Sequence, residues 1–223
     1  MMPERFQENG FAIVPAVITA QECDTLLRCI APVEHLSGSS RIALHQPWCD
    51  ALAERLRRHP VLSGLLPQDS VAVQCTYFEK SRARNWLVPI HQDLSIPVAE
   101  RVDSPALCGW SEKEGALFVQ PPADVLEQMI AVRLHLEDCG EDDGPLRVEP
   151  GTHVHGRIGP AEAAQRHSSA EVTCSVDAGG AVVMRPLLLH ASSKASGTGL
   201  RRVLHFLFGP PALPYGLKWQ SAV

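Results

Sequence analysis

From residue 71 to residue 208 the chain is a succession of short apolar stretches cut by turn residues, and that rhythm leaves few architectures open. The stretches are 71–78, 88–96, 117–120, 130–137, 146–148, 172–176, 181–189 and 200–208. About eight short strands separated by Gly, Pro and Asp turns predict a mainly β fold, a double-sheet jelly roll or similar sandwich. Glu141-Asp142-Asp143-Gly144-Pro145 and Asp177-Ala178-Gly179-Gly180 read as sharp reversals, and Pro210-Pro211 with Pro214 closes the β region.

Ahead of this region the texture is helical. A short strand, 11–14, and Pro15 precede Thr19-Ala20-Gln21-Glu22, a capping box that announces a helix. Cys23, Leu26, Leu27 and Ile30 recur at helical spacing on its apolar side, and Pro32 ends it. A Gly/Ser-rich loop follows over 37–40. A second helix begins near Pro47, with Leu52 and Leu56 facing inward and Glu54, Arg55, Arg57 and Arg58 mostly outward. The expectation is one domain over 1–223, with a helical part, 1–66, whose helices pack on one sheet of a jelly-roll core, 70–209.

Composition narrows the function classes. With 223 residues and 45% hydrophobic content the chain can bury a proper core. A net charge of −5 and no basic run longer than a pair argue against nucleic acid as a partner. Seven scattered cysteines without a Cys-x-x-Cys pair fit free thiols in a reducing compartment. The polar opening residues do not form a signal peptide, and no apolar run reaches membrane-spanning length. A soluble, cytoplasmic protein without a membrane partner is expected.

The chemistry concentrates at Val88-Pro89-Ile90-His91-Gln92-Asp93-Leu94-Ser95-Ile96. On a strand, His91 and Asp93 project from one face while Gln92 points away. That pairing suits two ligands of one metal ion. With a distant second histidine it would complete a two-histidine, one-carboxylate facial triad, which leaves three positions open on a non-haem Fe(II). The chain has ten histidines, so many compete for that place, and His190 is favoured by standing at the end of the apolar strand 181–189. Arg201, eleven residues later, opens the next strand, and if the two strands are antiparallel neighbours His190 and Arg201 come close together. Arginine is suited to clamping a carboxylate with two parallel hydrogen bonds, and Ser192 could add a hydroxyl to the same anion. Arg202 must face the opposite side of the strand.

Four pieces in order then resemble the phytanoyl-CoA dioxygenase family of Fe(II)- and 2-oxoglutarate-dependent oxygenases, which have the double-stranded β-helix (jelly-roll) fold. They are Phe6-Gln7-Glu8-Asn9-Gly10-Phe11, His91-Gln92-Asp93-Leu94, the segment from Gly144 to His153, and His190-Ala191-Ser192 with Arg201. The resemblance implies that His91, Asp93 and His190 bind Fe(II) and that Arg201 and Ser192 hold the distal carboxylate of 2-oxoglutarate. It also implies that Gln74, Tyr77 and Trp110 contact that cosubstrate or line the pocket. The activity implied is hydroxylation of a small organic molecule, with O2 as the other cosubstrate and decarboxylation of 2-oxoglutarate to succinate and CO2. In related halogenases a small residue stands where Asp93 stands here, so the carboxylate favours hydroxylation.

Other residues have plainer readings. His153 and His155 form a second same-face pair but follow a Pro-Gly turn, so a loop edging the pocket is expected. Arg133 and His135 share one strand face that could line the cavity, and His205 is expected to be packed deeper in the barrel. Lys80, Arg82, Arg84, Asn85 and Trp86 form a polar loop in which Asn85 and Trp86 are candidates for gating. Trp86, Ile96, Trp110 and Phe118 would make the pocket partly apolar. Two competing functions remain: a jelly-roll protein that binds metal or ligand without turnover, and a cupin-type metal enzyme that does not use 2-oxoglutarate.

Overall fold

The computed structural model describes residues 2–31, 39–165 and 170–223. Pro32 and the first half of the expected 37–40 loop lie outside them. The chain opens with helix α1 (Met2–Asn9), an element the sequence pattern did not single out, followed by strand β1 (Phe11–Val14) as predicted. Helix α2 (Ala20–Ile30) starts on the capping box: the Thr19 hydroxyl accepts the Glu22 N–H, and the Thr19 N–H donates to Glu22 Oε2 at 2.8 Å. Its inward residues are Cys23, Leu26 and Ile30, while Leu27 is only partly buried. Strand β2 (Ser39–Ile42) occupies the second half of the expected loop, and helix α3 (Pro47–Arg58) carries Pro47 in its first turn.

The β region runs β3 (Val71–Lys80), β4 (Val88–His91), β5 (Ile96–Val98), β6 (Cys108–Lys113), β7 (Ala116–Gln120), helix α4 (Ala123–Leu126), β8 (Ile130–His135) and β9 (Leu146–Val148). It then continues through helix α5 (Pro160–Gln165), β10 (Val172–Cys174), β11 (Ala181–Met184), β12 (His190–Ser192) and β13 (Arg201–Gly209). Every pairing is antiparallel. Six strands form a large sheet in the order β1-β11-β8-β13-β3-β2, four form a second in the order β10-β9-β12-β4, and β5-β7-β6 form a third.

Period-two alternation, interrupted on β3 by a bulge at Val73, divides the large sheet between two cores. Cys75, Tyr77, Val132, Leu134, Leu204 and Phe206 face α2 and α3 and bury against Cys23, Leu26, Ile30, Leu52 and Leu56. The opposite face presents Val73, Ala131, Val182, Met184 and Leu207 to Leu146, Val148, Cys174, Leu187 and Leu188 of the second sheet side and to Ile96, Val98 and Val119 of the third. The helices therefore close one face of the large sheet, and the space between the sheets is left for the site.

Two expectations are corrected here. The stretch 88–96 is not one strand, because β4 stops at His91 and β5 joins a different sheet. The stretch 181–189 likewise stops at Met184, since Pro186 and a turn follow, and His190 begins a separate strand, β12. As a result His190 and Arg201 are not on neighbouring strands of one sheet: β12 pairs with β4 and β9, whereas β13 pairs with β3 and β8. They approach each other across the gap between sheets.

The capping box gives a direct test of the helical layer. Thr19→Ala should lower unfolding free energy by about 1 kcal/mol in urea denaturation, the cost of leaving the first-turn amides without that oxygen. The β spectrum in circular dichroism should be unchanged.

Candidate metal centre and its cavity

Two histidines meet because their strands are paired in register. His190 on β12 lies directly opposite His91 on β4, and the ring centroids are 4.2 Å apart. Each ring places its Nδ1 2.9 Å from a carbonyl two residues earlier in the chain, Pro89 O for His91 and Leu188 O for His190. A carbonyl can only accept, so Nδ1 carries the proton in both rings and Nε2 is left with its lone pair. Such backbone contacts hold metal-ligating histidines in one tautomer and orientation.

Asp93 arrives by another route than the expected strand face. Past the end of β4 its own N–H donates to Pro186 O at 2.9 Å. The intervening Gln92 is buried and clamps three backbone groups: Nε2 donates to Leu187 O at 2.6 Å and Gly156 O at 2.8 Å, and Oε1 accepts Ile158 N–H at 2.8 Å. The Asp93 carboxylate then lies 3.7 Å from His91 Nε2 through one oxygen and 3.7 Å from His190 Nε2 through the other. Ligand atoms of His91, Asp93 and His190 all fall within 4.8 Å of one another, and among the described residues this is the one such cluster of three or more. Burial works to raise the Asp93 carboxyl, but the imidazoles of His190, His205 and His91 and the Arg133 guanidinium outweigh it and hold it below the ordinary carboxylate value. Burial pushes His190 down to about 4. An ionised carboxylate and unprotonated Nε2 atoms form the donor set that suits a divalent ion such as Fe(II).

Behind the triad lies a cavity of about 170 Å³ lined by Gln74, Phe78, Trp86, Arg133, Ser192, Arg201 and His205 among others. Two of its lining residues, Ser192 and Arg201, share one backbone carbonyl behind the lining. Gly144 O accepts from Ser192 Oγ at 2.9 Å and from Arg201 Nη1, and Arg201 Nη1 also reaches Ser192 Oγ at 3.3 Å. Gly144 has φ +64°, and a Cβ there would meet Ser193 O at 2.6 Å, so only glycine fits this turn. Arg201 is buried, while Arg202 points the other way and pairs with Glu137.

Gln74 lines the cavity, but Tyr77 does not. It stands three residues along the same strand, packs into the helix-side core and donates its hydroxyl to Glu79 at 2.9 Å. Trp110 does not line it either: β6 is the outer strand of the third sheet, and the indole lies under Arg101, 5.3 Å from its ring centre. Trp86 and Ile96 do line the cavity, and Phe118 lines an adjoining open groove with Ser39, Arg41, Thr76, Lys113 and Glu114. That groove shares Gln74, Phe78, His91, Asp93 and Ser95 with the cavity, so the two spaces meet at the triad. Asn85 holds the 193–200 loop through paired hydrogen bonds to Ala195. His153 packs against Gly10 and Gln7 and is outside the cavity lining, as is His155.

Two residues gain a place that the sequence did not assign. His205 lines the cavity, where a packed residue was expected, and its Nδ1 lies 2.9 Å from Arg133 Nη1. Lys80 is buried and donates to Ser192 Oγ at 2.8 Å and Ser193 O at 2.6 Å; burial, then Arg201 and Arg133, lower it to about 8. Even parity with Phe78 on β3 was the available signal for Lys80, and even spacing from Arg201 the signal for His205. His135 is buried without a hydrogen-bond partner on either ring nitrogen and does not line the cavity.

With this geometry in place, comparison with known proteins is informative. The sequence matches the phytanoyl-CoA dioxygenase family over residues 6–203. The chain belongs to that family. No curated protein matches the sequence. Its structure is similar to the non-heme monooxygenase ThoJ in the apo form, with a TM-score of 0.68 and 21% identity over 100% of this chain and 82% of that one. It is also similar to HygX from Streptomyces hygroscopicus with iron bound (TM-score 0.65, 17% identity, 93% of this chain and 85% of that one). The epimerase SnoN in complex with Fe3+, alpha ketoglutarate and nogalamycin RO aligns at a TM-score of 0.67 and 16% identity, over 99% of this chain and 88% of that one. These likenesses fix the jelly-roll fold with its several antiparallel sheets and attached helices. Among the described residues no helix is long and apolar enough to cross a membrane.

Two outcomes follow from the site. Gln92→Leu strands the Ile158 N–H and two carbonyls and should cost about 2–3 kcal/mol in stability, at roughly 1 kcal/mol per group. Burial also pushes His135 and His205 down to about 3. Unfolded imidazoles take up protons near pH 6.5 that the folded ones refuse, so metal-free protein should lose stability as pH falls from about 6.5 towards 3. His135→Leu should make that fall shallower by up to about 1.4 kcal/mol per pH unit, measured by denaturant titration across the range.

Proposed function

We propose that the protein is an Fe(II)- and 2-oxoglutarate-dependent dioxygenase that hydroxylates a small organic molecule. The observation that carries this reading is the His91–Asp93–His190 cluster lining one cavity together with Arg201 and Ser192. A protein that only bound a metal would have no use for a buried cation in the same cavity, and a cupin-type enzyme without 2-oxoglutarate would have no use for one either. Family membership and the ligands bound in structures of HygX and SnoN, iron, nickel and 2-oxoglutarate among them, support the same assignment.

In this reading His91, Asp93 and His190 hold Fe(II) on one side and leave its remaining positions open. Arg201 and Ser192 receive the distal carboxylate of 2-oxoglutarate, Gln74 borders that pocket, and Lys80 holds the Ser192 hydroxyl from outside the lining. When bound, the iron, 2-oxoglutarate and O2 supply the oxidising chemistry, in which the keto acid becomes succinate and CO2 and one oxygen atom goes to the substrate. Phe78, Trp86, Leu126 and Met129 exclude water from the cosubstrate side. Asp93 fills the third protein position, which supports hydroxylation as the outcome. The substrate approaches by the open groove between β2 and the β6–β7 hairpin, where Thr76, Gln120, Lys113 and the Arg41–Glu114 pair offer polar contacts. HygX with hygromycin B bound and SnoN with nogalamycin RO show relatives of this fold holding small molecules.

Anaerobic titration with Fe(II) and 2-oxoglutarate tests the assignment. A visible metal-to-ligand charge-transfer band should appear in the wild type, vanish in His91→Ala and require at least tenfold more 2-oxoglutarate in Arg201→Ala, the value of one charged hydrogen bond or more. Binding of Fe(II) with no band at any 2-oxoglutarate concentration would remove 2-oxoglutarate from the function.

A further inference from the structure

Two guanidiniums face one small cavity, and the reading above uses only one of them. Arg133, on β8, is 8% exposed and lines the cavity with Arg201, Phe78 and His205. Its Nη1 donates to His205 Nδ1 at 2.9 Å. A guanidinium can only donate, so that nitrogen of His205 holds the lone pair and the ring is neutral. Among the described residues Arg133 Nε has no hydrogen-bond partner, and the Phe78 ring lies 5.3 Å from the guanidinium carbon. Its main opposite charge is Asp93, a carboxylate shared with His91 and His190, so the buried guanidinium is only partly compensated.

The cavity itself offers little to balance it. Asp93 is the one acidic side chain in the lining, and its oxygens face His91 and His190. Arg201 adds a second positive charge to the same space and is the strongest charge influence on Arg133. Like charges so placed repel unless an anion lies between them. At about 170 Å³ the cavity is below the roughly 300–1,000 Å³ of pockets that take drug-sized ligands, so one small diacid fills it.

We propose that Arg133 is a second anion-binding guanidinium of the cosubstrate pocket, forming with Arg201 a two-arginine clamp on the distal carboxylate of 2-oxoglutarate. The inference rests on the oxygenase reading. It assigns His205 as a positioning residue, whose Nδ1 turns the Arg133 fork so that its remaining N–H groups face the cavity. It also explains why a jelly-roll interior tolerates a guanidinium on β8 at all.

Calorimetric titration of nickel-loaded protein tests the clamp without turnover. The probes are 2-oxoglutarate and 2-oxopentanoate, which has the same keto acid end and carbon chain but no distal carboxylate. Arg133→Gln should weaken 2-oxoglutarate by tenfold or more, the equivalent of a charge-assisted hydrogen bond, and leave 2-oxopentanoate within threefold of wild type. Arg133→Lys keeps the charge but loses the fork and should fall between, which preserves the test if the Gln variant does not fold by thermal melting. Arg133 variants that bind 2-oxoglutarate within threefold of wild type overturn the clamp alone. Equal losses for both keto acids also overturn it, since they place Arg133 at the metal-side carboxylate. If wild type holds nickel but takes no 2-oxoglutarate, the oxygenase reading fails first and the clamp with it.

Discussion

The pairing of His91 with His190 across β4 and β12 is the contact on which the rest of the site depends. A shift of one residue in that register would turn one imidazole to the opposite face of the sheet. The surroundings hold the register from both sides: β9 pairs with β12 through Val148 and Leu146, and Gln92 ties the end of β4 to Leu187, Gly156 and Ile158. Asp93 then needs no strand of its own. Its N–H bond to Pro186 O carries the carboxylate to the two Nε2 atoms just as β4 ends.

For two other lining residues, Ser192 and Arg201, a single backbone oxygen has a comparable role. Gly144 O gathers Ser192 and Arg201, which come from β12 and β13 in different sheets. The turn that exposes this oxygen is anchored to the 193–200 loop, since Asp142 O accepts from Ser196 N–H and Gly197 N–H at 2.9 Å. Asn85 grips the same loop at Ala195. Loop segments of low regularity thus acquire fixed positions through backbone hydrogen bonds, and the cations inherit that fixity.

Much of this was legible in the chain. Thr19 and Glu22 made their capping box, Pro47 opened its helix, and 11–14 and 146–148 became strands with the boundaries expected. What the pattern could not report was where an extended run stops. Val88 to Ile96 is apolar enough to read as one strand, and the break after His91 comes from Gln92 finding tertiary partners that only the fold supplies. The polar strand β6 was missed because its exposed residues show no alternation. Tyr77 is different in kind. Gln74 and Tyr77 stand three apart on β3, so period two already sent them to opposite faces, and the resemblance should have yielded to that parity.

The triad is open on two sides that differ in charge. On the cavity side Arg133 and Arg201 face a space whose lining carries one carboxylate, whereas the groove side mixes Arg41, Lys113 and Glu114 around Phe118. His190 is buried, and the side chains of His91 and Asp93, which line both spaces, are 38% and 39% exposed. An anion therefore gains most by lying in the cavity, where low dielectric strengthens its attraction to the guanidiniums. A polar, less charged molecule fits the groove. With the two spaces joined at Gln74, Phe78, His91, Asp93 and Ser95, a molecule seated in the groove stands over the junction. On the oxygenase reading the cosubstrate then loads first and the substrate closes over it, an order set by depth and charge before any chemistry begins.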